Sequence, residues 1–220
     1  MKKLTASIMC ANQLHLNTEI NELLSAGIDW LHCDVMDGSF VNNLAMGPYQ
    51  IEALRQINGL TLDIHLATEK TEKYIEMFAP LKPDYLTFHI EATDNPKAVI
   101  DLIRKYAIRV GVAISPETPI SVVEKWLPQI DLLLLMTVNP GFAGQKFNQN
   151  VVAKSIELTH LLENVEQRPL VQVDGNINKD TIPLFKDQFV DLYVLGTSAL
   201  FNESSLSYRE KVIELEKQLR

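Results

Sequence analysis

Eight short runs of strand-forming residues recur along this chain: Leu4–Met9, Trp30–Val35, Thr61–Leu66, Tyr85–Ile90, Arg109–Ile114, Leu132–Val138, Leu170–Val173 and Leu192–Leu195. Successive runs start roughly 20 to 40 residues apart, the room that a strand and a returning helix require. The segments between them carry apolar residues at helical spacing. Leu14, Ile20, Leu23 and Leu24 form one such face, with Gly27 as its C-cap, and Ile156, Leu158, Leu161 and Leu162 form another. Leu132-Leu133-Leu134-Leu135-Met136 is apolar without alternation, which suits a parallel strand covered on both faces. Eight strand–helix units predict a closed (β/α)8 TIM barrel in one domain spanning residues 1–220. A doubly wound open sheet is the alternative. It usually carries a glycine-rich turn after its first strand, and Ser7-Ile8-Met9-Cys10-Ala11-Asn12 has no glycine.

A barrel of this kind gathers its chemistry at the C-terminal ends of the strands. The second run continues Leu31-His32-Cys33-Asp34-Val35-Met36-Asp37-Gly38, and His32 and Asp34, two apart, point to the same side. His65 lies near the end of the third, and Asp174 ends the seventh. A histidine alone on an apolar strand is commonly a hydrogen-bonded core residue. Two histidines and two carboxylates at one mouth instead make a ligand set for Zn²⁺, Mn²⁺ or Fe²⁺. His89 is a fifth candidate, read as pocket lining or as support behind the ligands. His15 and His160 fall in helical segments and are expected to be solvated or packed, and Asp37 belongs to the turn at Gly38.

Three small, N–H-rich loops follow the last strands: Asn139-Pro140-Gly141-Phe142-Ala143-Gly144-Gln145, Asp174-Gly175-Asn176 and Gly196-Thr197-Ser198. Glycines permit turns of any purpose. Three such turns in adjacent final units favour a phosphate site built from backbone dipoles. The net charge of −8 argues against nucleic acid or an anionic membrane as partner. No stretch approaches the ~20 apolar residues of a membrane span, and Met1–Ala6 begins no long apolar run of the kind a secretory leader has. Cys10 and Cys33 form no framework, which fits a reduced, cytoplasmic setting.

These segments together resemble the ribulose-phosphate 3-epimerase family, including its allulose-6-phosphate 3-epimerase branch, over nearly the whole chain. The resemblance is carried by Ala6–Ala11, His32–Val41, Asp63–Leu66, Thr87–Ala92, Met136–Phe147 and Val173–Gly175, in order and at the family's spacing. It implies an isomerase of carbohydrate metabolism, in the pentose phosphate pathway, that epimerises C3 of a ketose phosphate through an enediolate. D-Ribulose 5-phosphate is the first substrate implied and D-allulose 6-phosphate the alternative. By resemblance, His32, Asp34, His65 and Asp174 hold one divalent ion, Zn²⁺ first and Fe²⁺, Mn²⁺ or Co²⁺ after it. Asp34 and Asp174 are its acid/base pair. Ser7 and His65 contact substrate, Met36 and Met136 line the pocket, and Gly141, Phe142, Ala143, Gly144, Gly175, Asn176, Gly196 and Thr197 form the substrate and phosphate loops. A homo-oligomer is also implied. The sequence departs from the family pattern at Asn12 (usually Asp), Asn42 (Pro), Ala67 (Met), Ser115 (Asn) and Asn176 (Gly). Two rival readings keep the barrel. The Asp-x-Lys-x-x-Asp strand of orotidine-phosphate decarboxylase and hexulose-phosphate synthase is absent from His32–Asp37. A non-catalytic sugar-phosphate sensor would have no need of both acid/base groups.

Overall fold

The eight runs pair in parallel, as their apolar composition predicts, and the sheet closes on itself. The structure, a computed structural model, describes residues 2–219. Its elements in chain order are β1 (Lys3–Ser7), α1 (Leu16–Ser25), β2 (Trp30–Asp37), β3 (Leu44–Ala45), α2 (Pro48–Leu54), β4 (Thr61–Ala67), α3 (Thr71–Phe78), β5 (Tyr85–His89), α4 (Pro96–Lys105), β6 (Arg109–Ile114), β7 (Leu132–Met136), α5 (Asn150–Leu162), β8 (Leu170–Asp174), β9 (Leu192–Leu195) and α6 (Tyr208–Glu216). Around the barrel the order is β1-β9-β8-β7-β6-β5-β4-β2, and β1 also pairs with β2 to close it. The seam is fixed by Lys3 opposite Leu192 on one side and Ser7 opposite His32 on the other. The two-residue β3 turns back antiparallel to the end of β2, pairing Met36 with Ala45.

Strand alternation sorts the side chains into two cores. Outward-facing residues such as Leu31, Ile64, Phe88, Val112 and Leu133 pack under the helices against Ile20, Leu23, Ile51, Phe78 and Ile103. Each such buried aliphatic or aromatic side chain contributes about 1.5–3 kcal/mol. Inward-facing Trp30, Tyr85, Ala113, Leu132, Leu134 and Leu192 fill the barrel. Most of these open their strands, so the apolar plug fills the N-terminal half, with Trp30 stacked on Tyr85 at 4.9 Å. The polar inward residues are thereby left at the opposite, C-terminal mouth.

Two units lack their α-helix. After β6 the chain passes through 3-10 turns at Ile120–Val122 and Glu124–Gln129, and after β8 through another at Ile182–Phe185. After β6, Pro116, Pro119 and Pro128 account for this, since proline removes a helix donor and clashes with the preceding turn, whereas Pro183 sits in the first turn of its 3-10 segment, where proline is tolerated. Leu14 does not join the α1 face and is 90% exposed. The Asn12 side chain instead accepts the Leu14 N–H and caps a short 3-10 turn ahead of α1. Ile156 is likewise exposed, whereas Val151, Leu158 and Leu162 carry the buried face of α5. Strand β1 stops at Ser7 and β7 at Met136, two residues short of the runs, and β2 runs on to Asp37. No helix among the described residues is long and apolar enough to cross a membrane.

Candidate active site

His32 and Asp34 of β2, His65 of β4 and Asp174 of β8 converge at the C-terminal mouth. One side-chain donor atom from each lies within 4.8 Å of the others. His32 Nε2 stands 3.4 Å from Asp34 Oδ1 and 3.9 Å from Asp174 Oδ2, and His65 Nδ1 stands 3.0 Å from Asp34 Oδ1. His32 Nε2 is buried and has no hydrogen-bond partner among the described residues. A buried polar atom left alone is costly. Aimed into a cluster of two nitrogens and two carboxylates, it is what a divalent cation would satisfy, so the donor set fits a metal.

Behind these four residues lies a layer of partners. Asp63, two residues before His65 and fully buried, places Oδ2 2.9 Å from His32 Nδ1, which turns Nε2 toward the centre. Its other oxygen accepts the Thr87 hydroxyl at 3.1 Å. Thr87 fits only because its cross-strand neighbour Gly111 has no side chain. A Cβ there would stand 2.0 Å from Thr87 Oγ1. Ser7 donates to Asp34 Oδ2 at 2.7 Å. His89 places Nε2 2.9 Å from His65 Nε2 and Nδ1 3.0 Å from Glu91 Oε2. The Phe40 ring lies over His89 with centroids 4.8 Å apart. His89 thus stands behind the ligands rather than among them. His15 and His160 are solvated, and Asp37 accepts the Ser39, Phe40 and Glu69 N–H groups to fix its turn.

Burial and neighbouring charge drive the two central carboxyls apart. Burial pushes Asp174 up to about 7, because the attraction of His32 does not offset desolvation and the nearby Asp34 and Asp63 charges. Asp34 is equally desolvated, but His32 and His65 outweigh that and hold it well below the usual carboxylate range. For His32 burial favours the neutral ring, yet Asp34 and Asp63 prevail and keep it protonated well above its ordinary value. Burial pushes His89 down to about 4. Burial opposes ionisation of Glu91, but the His89, Thr118 and Ser115 donors overcome it and bring Glu91 to about 2.

The centre opens into a pocket lined by Ser7, Asp34, Met36, His65, Met136 and Asp174 at its floor. Gly141, Phe142, Ala143, Gly144, Gly175, Asn176, Gly196 and Thr197 line its other end. His32 sits fully buried behind this wall. Gly175 has φ +119°, and a Cβ would meet Val138 Cγ2 at 2.5 Å and Val138 N at 2.8 Å. Asn176 takes φ +53°, a left-handed conformation that asparagine tolerates better than most residues, and donates to the Gln145 carbonyl. Asn12 serves as a cap, Ser115 donates its N–H to Glu91, and Ala67 is fully buried in a cluster with Met36 and Val41. Met9 and Cys10 also line the pocket. Asp63, Thr87 and Glu91 were not assigned from sequence. A carboxylate on an otherwise apolar strand, two residues from a candidate ligand, was the available signal for Asp63.

A sequence model of the ribulose-phosphate 3 epimerase family matches residues 3–201. Among curated proteins, the chain is 40% identical to the ribulose-phosphate 3-epimerase of Bacillus subtilis (strain 168), over 97% of each chain. It is 39% identical to that of Buchnera aphidicola subsp. Baizongia pistaciae, over 94% of this chain and 92% of the relative. The fold is also shared with 3-keto-L-gulonate-6-phosphate decarboxylase from Vibrio cholerae, with TM-score 0.72 at 14% identity, over 99% of this chain and 97% of that one. At that identity the likeness is one of fold. The sequence matches run nearly end to end, and the chain belongs to the ribulose-phosphate 3-epimerase family of isomerases.

Proposed function

We propose that the chain interconverts the C3 epimers of a ketose phosphate, D-ribulose 5-phosphate and D-xylulose 5-phosphate, by proton transfer between two carboxyl groups. The observation that carries this reading is the pair Asp34 and Asp174, on strands three steps apart around the barrel, with carboxyl oxygens brought into one cluster from different sides. One carboxylate removes the C3 proton from one face, and the other carboxyl returns a proton to the opposite face. The roles exchange with the direction of reaction. Ser7, bonded to Asp34, orients that carboxylate, and Met36 and Met136 keep water from the reacting carbons. His32, Asp34, His65 and Asp174 would hold one divalent ion, with Zn²⁺ the first choice for this donor set and Fe²⁺, Mn²⁺ or Co²⁺ after it. When bound, that cation supplies positive charge against the negative charge that builds on the substrate as its proton leaves.

Turnover in D₂O tests the reading. Ribulose 5-phosphate should epimerise with deuterium entering at C3, and faster than allulose 6-phosphate. Faster turnover of the six-carbon sugar would transfer the assignment to that substrate. Binding of both with no C3 exchange would leave a sugar-phosphate sensor and overturn the enzymatic reading.

The loops 141–144, 175–176 and 196–197 would hold the phosphate through backbone N–H groups, since no lysine or arginine lies in them. Gly175→Ala should raise KM roughly tenfold or more, the effect of losing one hydrogen bond to a charged group, about 1.5–3 kcal/mol. An unchanged KM, or inorganic phosphate ordered elsewhere with these loops empty, would count against the assignment.

A further inference from the structure

We infer that Glu91 and His89 are positioning residues for His65: through two successive hydrogen bonds they keep the His65 proton on Nε2 and leave Nδ1 as a lone pair directed at the metal centre. The inference deepens the metal-site reading above and rests on it.

The argument runs inward from the rim. Glu91 Oε1 accepts the Ser115 N–H at 2.8 Å and also the Thr118 hydroxyl, so the carboxylate cannot rotate without losing both donors. Its second oxygen is thereby fixed against His89 Nδ1 at 3.0 Å. A carboxylate only accepts, so Nδ1 carries the proton. A neutral imidazole has one N–H, and His89 Nε2 is therefore an acceptor. Across 2.9 Å stands His65 Nε2, which must donate, because two lone pairs do not face each other at that distance. His65 Nδ1 is left as the lone pair, 3.0 Å from Asp34 Oδ1. With a cation bound, two acceptors facing one another there would share it; with none bound, a proton on Nδ1 serves instead. His65 and His89 are buried, and Phe40 lies over His89, so water does not compete for these bonds. His32 is oriented by the shorter route of Asp63 alone. The two histidines thus present opposite ring nitrogens to the centre, Nε2 from His32 and Nδ1 from His65.

Glu91→Gln tests this with a nearly isosteric change. Oε1 of the amide would keep the Ser115 and Thr118 donors, which turns the NH₂ group toward His89 Nδ1. Every proton in the relay would then reverse, and the His65 proton would move to Nδ1, the metal-binding atom. The measurements are the Zn²⁺ dissociation constant by chelator competition and the histidine tautomers by long-range ¹H–¹⁵N NMR of the protein before and after Zn²⁺ loading. We expect roughly 10- to 100-fold weaker Zn²⁺ binding, the usual scale for losing a partner behind a metal ligand. His89 should carry its proton on Nδ1 in the wild type, with or without Zn²⁺, and on Nε2 in the metal-free variant. Equal Zn²⁺ affinity with an unchanged His89 tautomer would overturn the relay while leaving the metal site intact. A wild-type His89 protonated on Nε2 would overturn it whether or not the variant folds. Wild-type protein that takes up no Zn²⁺ would overturn both readings.

Discussion

Asp34→Asn and Asp174→Asn are each expected to cut turnover by at least ~10²-fold, the low end for general acid–base catalysis. Asparagine keeps the shape of aspartate and one coordinating oxygen, but it cannot carry a proton. In the proposed mechanism the two carboxyls act in sequence on one carbon, so the double variant should be little worse than the poorer single one. The singles should differ in what survives. A variant that keeps one carboxylate can still remove and return the C3 proton on a single face, so deuterium can wash into C3 without inversion. Steady-state epimerisation and C3 exchange, measured on variants with verified metal content, separate the two effects. A near-wild-type rate for either metal-loaded single would sink the two-carboxylate mechanism.

His65→Ala and His32→Ala should each lose bound metal and activity together, and chelation of the wild type should abolish turnover until Zn²⁺, Fe²⁺, Mn²⁺ or Co²⁺ is returned. The electrostatics add a pH signature. Metal-free His32 is held protonated well above its ordinary value, because Asp34 and Asp63 outweigh the effect of burial. Coordination through Nε2 must displace that proton, so metal uptake releases acid and weakens as pH falls through and below the raised pKa. Titration calorimetry in buffers of different ionisation enthalpy reads the proton count directly. Active protein that retains full turnover under strong chelation, with no metal detected, would show that these four residues serve another purpose.

Alternation made much of the centre legible. His32 and Asp34 are two apart on one strand and must share a face, and the apolar residues around them exclude a surface position. What sequence reasoning missed depends on register. That Thr87 reaches Asp63, or that His89 meets His65, follows from how β4 and β5 pair, and no local pattern specifies it. Glu91 looked like any acidic residue after a strand; its partners Ser115 and Thr118 come from the next unit. The missing helix after β6 was signalled by proline, but the apolar residues there kept a helical rhythm that the 3-10 turns also bury, and after β8 Pro183 sits where a helix could begin. Leu14 misled for the reverse reason: it matched the helical period, yet Asn12 caps the chain before the helix begins.

The seam between β1 and β9 has a bearing on how the chain is made. β1 leaves the ribosome well before its partner β9, which follows every other strand of the barrel. At ~5–20 residues per second, the intervening segment takes on the order of ten seconds or more to synthesise. During that time β1 can pair with β2, and Ser7 can reach Asp34. Asp174, at the end of β8, is joined to them on the near side of the barrel when β9 slots between β8 and β1. The two carboxyls proposed to exchange the proton therefore take up their final separation on ring closure. A nascent chain, however well its early units have folded, carries one half of the centre without the carboxyl that faces it.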